Sequence, residues 1–483
     1  MLAPFRWFHA TVPPSNELMA APFQTTFKVL LAVVPVMLSV SVSETADMTF
    51  HFGGGGTGYV VDDWCGSTVA FTFDPDELPF DDRDALALYF RHSYIPGPYS
   101  IYRGIRKLLP GTRLAMGAAD SPGRRLPEPV PYWSISALTA REAGQFPGDE
   151  QEALAELERL GRSAVALQRV ADVPLGAFLS GGVDSSTVVA LMQTDTQTPV
   201  RTFTIGFDEA GYNEAQHAAA VARHLGTDHT ELTVTPEEAR TVIPRLPTIY
   251  DEPFADPSQI PTFLVSALAR RRVTVSLSGD GGDELFGGYD RYFFGRALHR
   301  RIGGIPLPLR KIASRTVKSV PPAVIDAALR PFGKLWPRIA VPHPSDRVLR
   351  GLDILTMPSD TAVYRRIVSQ SADPTALVRD AKEPATLLDA SIDARASVSS
   401  FEQWMMSADM QTYLPDDILV KVDRATMAVG LEARVPFLAR DIVEFAASLP
   451  RSMRTSGGLS KQILRDVLYQ RVPAEIVERP KTG

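Results

Sequence analysis

The stretch Phe178-Leu-Ser-Gly-Gly-Val-Asp-Ser-Ser186 constrains the fold more than any other. Val173, Leu175, Ala177, Phe178 and Leu179 predict a buried strand, and Thr187 to Met192 predict a helix that starts just after Asp184. Only a tight strand-turn-helix junction fits between them. Such a junction aims backbone N–H groups and a helix N-terminus at one spot, and Gly181 and Gly182 let an anion approach where a Cβ would stand. Ser180, Ser185 and Ser186 add hydroxyl donors. Asp184 would repel a phosphate unless a divalent cation lay between them, so the stretch points to a nucleotide with magnesium. It lacks the lysine and glycine spacing of a Walker loop, and a serine-capped turn without a ligand fits these residues equally well.

A second stretch of the same kind follows. Val273-Thr-Val-Ser-Leu277 alternates as a strand and opens into Ser278-Gly-Asp-Gly-Gly-Asp-Glu-Leu-Phe-Gly-Gly-Tyr289. Two such loops on one parallel sheet face each other at its carboxyl edge, where open α/β sheets bind ligands. Around the first loop, a helical stripe over 149–169, a strand at Val200–Phe207, a helix at Glu214–Leu225 and a strand at His229–Val234 alternate. These lengths predict a doubly wound parallel sheet.

Four stretches stand in register: SGGVDSS at 180–186, YDEPFADPSQIPT at 250–262, SGDGGDELFGGY at 278–289 and LPDDILVKVDRATMAVGLEARVPFL at 414–438. Through them the chain, from about residue 80 onward, resembles the glutamine-dependent asparagine synthetases. The resemblance implies an α/β fold of the adenine nucleotide α-hydrolase type, an ATP pyrophosphatase with helical additions, preceded by an incomplete β-rich glutaminase-like region. It implies ATP and Mg2+. ATP would lie against Leu179, Ser180, Gly181, Gly182, Asp184, Ser185, Ser186, Ile205, Ser278 and Gly279, with Leu179 and Ile205 beside the base, while Asp184 and Asp283 share the magnesium. An apolar residue ending a strand is also ordinary core.

Within Gly457-Gly-Leu-Ser-Lys-Gln-Ile-Leu-Arg465 the resemblance makes Lys461 the catalytic lysine, offsetting charge on the α-phosphate or on a tetrahedral intermediate; a surface-helix lysine is the alternative. Asp280 stands where relatives carry an acidic residue. It either accepts a proton from the attacking ammonium or ammonia, or holds a lysine in place. Asp251 and Glu252 fix a substrate amine, bind a metal or cap a helix, and Asp256 and Ser258 are expected to cap the helix that begins near Ser258. Tyr413 to Leu438 predict helices over the site, with Asp416, Lys421, Asp423, Arg424, Glu432 and Arg434 as paired charges between them and phosphate contact by Lys421 or Arg424 as the lesser reading. Ala439 replaces an acidic residue common in relatives.

The expected organisation is an unassigned segment 1–50, either mis-started or degenerate, a glutaminase-like remnant at 51–135, a linker at 136–150 and the ATP-binding domain at 151–483. The apolar run Val29 to Val42 looks like a signal h-region but reads better as a strand; it is short for a membrane span and broken by Pro35. Gly53 to Phe73 predict a hairpin, and Thr112 to Ala115 a small strand. The family's glutaminase nucleophile is an N-terminal cysteine, yet residue 2 is Leu2 and the single cysteine, Cys65, lies within the chain as a small buried hydrophobe, so glutamine hydrolysis is not expected. Relatives continue beyond Gly483, and their closing tail is expected to be absent.

A composition of 45% hydrophobic and 22% charged residues supports a large core. A net charge of −6 gives no nucleic-acid surface, and one cysteine fits a reducing, cytoplasmic setting without membrane attachment. The implied substrates are aspartate with ammonia or glutamine, and the partner a second copy or an ammonia-supplying protein. Two other functions compete: a β-lactam synthetase or lasso-peptide cyclase using an internal amine, and an inactive fragment that binds an intact paralogue.

Overall fold

Five parallel strands form the central sheet: β1 (Leu175–Phe178), β2 (Arg201–Phe207), β3 (Asp228–Val234), β4 (Val275–Leu277) and β5 (Glu432–Arg434), in the order β3-β2-β1-β4-β5. The chain steps outward from β1 to β3, then crosses back to lay β4 on the other side of β1. This reversal makes the gap between β1 and β4 the switch point, where the ends of neighbouring strands diverge and leave a crevice. Ser276 pairs with Gly176, and Gly176 faces Arg201 on the other side. A side chain at Gly176 would stand 2.7 Å from the Arg201 carbonyl, so glycine lets β2 come close.

The computed structural model describes strands at 25–29, 38–42, 48–52, 58–62 and 67–70, then residues 82–115, 127–207, 215–302, 304–330 and 344–478 with breaks at 394, 396–397, 399 and 456–458. The chain divides into two units, Met1–Asp74 and Pro75–Gly483. In the first, Thr25–Val29, Leu38–Val42 and Met48–Phe52 form an antiparallel sheet, and Gly58–Asp62 pairs with Ser67–Ala70 as the expected hairpin. Leu2, Cys65, Gly53 to Thr57 and residues 30–37 of the apolar run lie outside the described residues, as do Gly457, Gly458 and Arg479 to Gly483. Among the described residues no helix is long and apolar enough to cross a membrane.

In the second unit the expected helices and strands are in place. The helix Glu150–Gln168 opens with a capping box, Asp149 accepting from the Glu152 N–H while the Glu152 side chain accepts from the Asp149 N–H. Such a cap contributes about 1 kcal/mol. The helix Val183–Thr194, which follows β1, is buried from Ser185 to Met192 because it lies between the sheet and the helices Glu150–Gln168 and Gln462–Tyr469. Val188, Val189, Leu191 and Met192 are at most 2% exposed, and each contributes about 1.5–3 kcal/mol by leaving water. Thr112–Arg113 pairs with Val130–Pro131 as a small ribbon, and the described residues between 290 and 393 carry separate helices, among them Asp290–Ile302, Leu307–Lys318, Pro344–Leu355 and Asp360–Ile367.

One expectation is corrected. Tyr413 to Leu438 is not helical throughout: after the helix Leu419–Met427 the chain enters β5, which pairs with β4. Three residues are too few to show a period of two, and partners far away in sequence decide their conformation.

Candidate functional site

The two glycine loops meet across the switch point. At the end of β1 the Leu179 N–H donates to the Phe203 carbonyl, and Gly181 then turns the chain with φ +75°, open to glycine at little cost. The Ser185 hydroxyl accepts from the Ser180 N–H at 3.1 Å and lies 3.0 Å from the Ser180 hydroxyl, so the loop is tied to the first turn of the helix Val183–Thr194. Ser186 is fully buried, and among the described residues nothing pairs with its hydroxyl. From β4, the Ser278 N–H donates to the Arg434 carbonyl of β5 at 2.8 Å, and Gly281 turns the second loop into the short helix Gly282–Phe286. A Cβ on Gly279 would lie 2.6 Å from the Ser185 nitrogen, and one on Gly282 2.6 Å from the Asp184 carboxyl. The loops therefore touch backbone to backbone, which only glycine allows.

Lys461 joins them. Its ammonium pairs with Asp184 and, at 2.7 Å, with Asp283. The residue is 5% exposed, which excludes the surface-helix alternative. Burial pulls the pKa of Lys461 down, but the two carboxylates outweigh this and leave it raised, so the lysine is a fixed cation. Its backbone is left-handed, φ 56°, immediately before the helix Gln462–Tyr469. Gly288 makes room: a Cβ there would collide with the Asp283 carboxylate and with Lys461 Cε.

Asp280 faces the same crevice through Ser278, whose hydroxyl donates to its Oδ2. Burial pushes the pKa of Asp280 up, against the lowering effects of that hydrogen bond and of Lys421. The Leu179 side chain is 1% exposed and belongs to the core, so its backbone is what borders the loop; Ile205, on β2, is half-buried.

The flanking charges pair differently from the expectation. Asp251 meets Arg424 at 2.8 Å, and Glu252 pairs with Lys107 while accepting from the Ile101 N–H at 3.2 Å. Both thus tie the segment 99–107 and the helix Leu419–Met427 together. Ser258 makes no side-chain cap to the helix Gln259–Arg270; Asp256 Oδ1 accepts from the Ser258 N–H at 2.6 Å. The buried Lys421 donates to Asp256 at 3.0 Å and to the Ser258 hydroxyl at 2.9 Å, while Arg434 pairs with Glu432 and donates to the Gln168 and Val170 carbonyls. Asp416 accepts from the Gly97 N–H at 3.1 Å. Ala439 precedes the helix Arg440–Ser448 without a side-chain cap.

Sequence reasoning missed the buried Asp409, which accepts from Arg291 at 2.9 and 2.7 Å, from Tyr292 at 2.6 Å and from Tyr364. Its only signal is that it and Glu402 are acids set among the buried Trp404, Met405, Met406 and Ala408 of the helix Phe401–Gln411.

Two hard carboxylates sharing one cation suit magnesium, which takes one or two carboxylates and completes its shell with phosphate oxygens and water. Among the described residues no group of three or more His, Cys, Asp or Glu converges, so such an ion would depend on substrate oxygens.

A doubly wound sheet with an acidic, lysine-bridged crevice at its switch point is thus the class defined by fold and site. The family model for asparagine synthase matches residues 156–483, and the chain belongs to that family. It is 29% identical over 404 residues to asparagine synthetase [glutamine-hydrolyzing] 1 of Bacillus subtilis, covering 83% of this chain and 58% of the relative. It is 33% identical over 402 residues to a putative asparagine synthetase [glutamine-hydrolyzing] of Mycobacterium tuberculosis, covering 83% and 57%. Over 239 residues it is 38% identical to a putative asparagine synthetase of Methanocaldococcus jannaschii, covering 48% and 44%. The chain therefore spans less than two thirds of the length of these curated relatives.

Proposed function

We propose that this chain forms an amide at the expense of ATP, converting aspartate, ammonia and ATP to asparagine, AMP and pyrophosphate. The observation that carries the reading is the meeting of Lys461 with Asp184 and Asp283 where the two glycine loops touch. The first loop would grip the departing pyrophosphate through its N–H groups and serines. Asp184 and Asp283 would hold magnesium, which when bound offsets phosphate charge. The substrate carboxylate attacks the α-phosphorus and releases pyrophosphate; ammonia then attacks the activated carbonyl and releases AMP. Lys461 offsets negative charge in both steps, where a buried cation counts most. Asp280, with its raised pKa, takes the proton that the nitrogen must lose. Glutamine hydrolysis is no part of the proposal.

The test is purified chain with ATP, magnesium, aspartate and either ammonium or glutamine, following AMP, pyrophosphate and asparagine. Asparagine and AMP with ammonium support the reading. ADP as the nucleotide product, or no turnover with aspartate, would overturn it.

A further inference from the structure

Residues 304–330 form two helices, Leu307–Lys318 and Pro322–Leu329, that lean on the helix Pro344–Leu355, and within this stretch only Ser314 and Ile325 are buried. One side of the helix Leu307–Lys318, with Leu307, Arg310, Ser314 and Val317, is turned toward the body: Arg310 donates to the Leu355 carbonyl at 3.0 Å and to the Met357 carbonyl at 3.2 Å. The other side carries a second stripe. Leu309, Ile312, Ala313 and Thr316 follow at the spacing of a core-facing helix, yet all four are exposed, Leu309 at 57% and Ile312 at 59%. Ile305, just before the helix, is 47% exposed. The Thr316 hydroxyl donates back to the Ile312 carbonyl at 3.1 Å, so it asks for no outside partner.

This helix holds four basic residues, Arg310, Lys311, Arg315 and Lys318, and no acid, although the whole chain has a net charge of −6. Helical spacing sets Lys311, Arg315 and Lys318 in a row along one border of the outward stripe. Lys318 pairs with Asp353, whereas Lys311 and Arg315 are exposed and meet no acid among the described residues. Asp326, the nearest acid in the sequence, accepts from the Ser345 N–H at 2.7 Å.

An apolar stripe with a cationic border fits a partner that offers hydrocarbon and negative charge side by side. Nucleic acid brings the charge but leaves the stripe against a polar surface. A second copy brings apolar side chains but sets Lys311 and Arg315 against their own kind. A protein groove would have to enclose the helix, whose inner side is already committed. A lipid surface touches one side only, with phosphates at the level of the Lys and Arg heads and acyl chains beneath the stripe.

We propose that the outward side of the helix Leu307–Lys318 docks the chain on anionic lipid surfaces. The contact is peripheral and leaves the crevice chemistry untouched. It revises the expectation, drawn from overall composition, of a chain without membrane attachment.

The experiment is flotation of the full chain with vesicles of phosphatidylcholine alone and of phosphatidylcholine with one quarter phosphatidylglycerol. The parent should bind the anionic vesicles about tenfold or more over the neutral ones, and less as salt screens the charges. Lys311→Glu with Arg315→Glu should weaken that binding by about tenfold or more. Leu309→Asn with Ile312→Asn keeps the charge and should weaken it by about as much. All four side chains are exposed, so both variants should keep the parent's Tm and its affinity for ATP. No binding by the parent, equal binding to both vesicles, or unchanged binding in either variant overturns the proposal. So do two outcomes that name another occupant in the absence of vesicle binding: retention on immobilised polyglutamate, which assigns the face to an acidic protein, and self-association lost in the variants, which assigns it to a second copy.

Discussion

Lys461 reaches Asp283 across 2.7 Å from a backbone at φ 56°, a left-handed conformation that costs a residue with a Cβ about 1–2 kcal/mol. That strain is held by the structure on either side, and it points the ammonium between two acids from different loops.

Lys461→Met should lower AMP formation by about 100-fold or more, the usual loss when a fixed charge is removed from a transition state. The variant also leaves Asp184 and Asp283 without their shared ammonium. Its Tm should therefore fall in the presence of a chelator and recover in part with magnesium, as followed by thermal denaturation. A variant as active as the parent would remove Lys461 from the reaction.

Gly288→Ala places a methyl group against the Asp283 carboxylate and Lys461 Cε. Turnover should drop by about 10- to 100-fold as the lysine is displaced, since small misplacements at a reacting centre cost that much. The atoms nearest that methyl belong to Asp283 and Lys461 and not to the first glycine loop, so magnesium-free ATP binding measured by calorimetry should change less than turnover does. A large loss of ATP affinity would show that Gly288 supports the nucleotide site as a whole.

Asp280→Asn separates proton transfer from loop support. If Asp280 takes the proton from the nucleophile, exchange of labelled pyrophosphate into ATP with aspartate alone should persist, while amide formation with ammonium falls by about 10²- to 10⁴-fold. Equal loss of both would show that its bond with Ser278 holds the loop and nothing more.

Asp416→Asn carries a pH signature. Burial pushes the Asp416 pKa up to about 7, against Lys107 and the Gly97 N–H, which lower it, and with Glu252 adding to the rise. The folded state therefore keeps a proton that the unfolded state has lost between roughly pH 4 and pH 7, and stability falls as pH rises through that window. Asparagine retains an acceptor for Gly97 and does not titrate. Denaturant unfolding at pH 5 and pH 8 should show the variant gaining about 1–2 kcal/mol relative to the parent at the higher pH, a value reduced from the full shift because the carboxyl keeps some contact with water. Parallel pH profiles for the two proteins would contradict this.

The local units of the site were readable from sequence because each is short-range: glycines between an apolar strand and a helix, repeated at Ser180 and at Ser278, fix a loop whatever surrounds it. What brings the loops together was readable only through the order of strands and helices. The conformation of Lys461 was not, since nothing in Leu-Ser-Lys-Gln marks a left-handed residue; distant acids impose it. Ser258 looked like a helix cap and instead serves Lys421, because a buried ammonium needs every nearby oxygen more than an exposed helix end needs one. Glu432 to Arg434 became a strand for want of any other partner for the β4 edge. Asp417, next to the more conspicuous Asp416, gave no signal at all, because its burial and its contact with Asp256 are set by residues far away in the chain.

The order β3-β2-β1-β4-β5 also sets a timetable for synthesis. A ribosome that has released the chain through Phe286 has delivered both loops and both acids, yet β4 still has an open edge and the acids lack their counter-ion. Closure waits for Glu432 to Arg434, and charge balance for Lys461, so the nascent protein carries an unfinished, self-repelling cleft from residue 286 until these two late segments emerge.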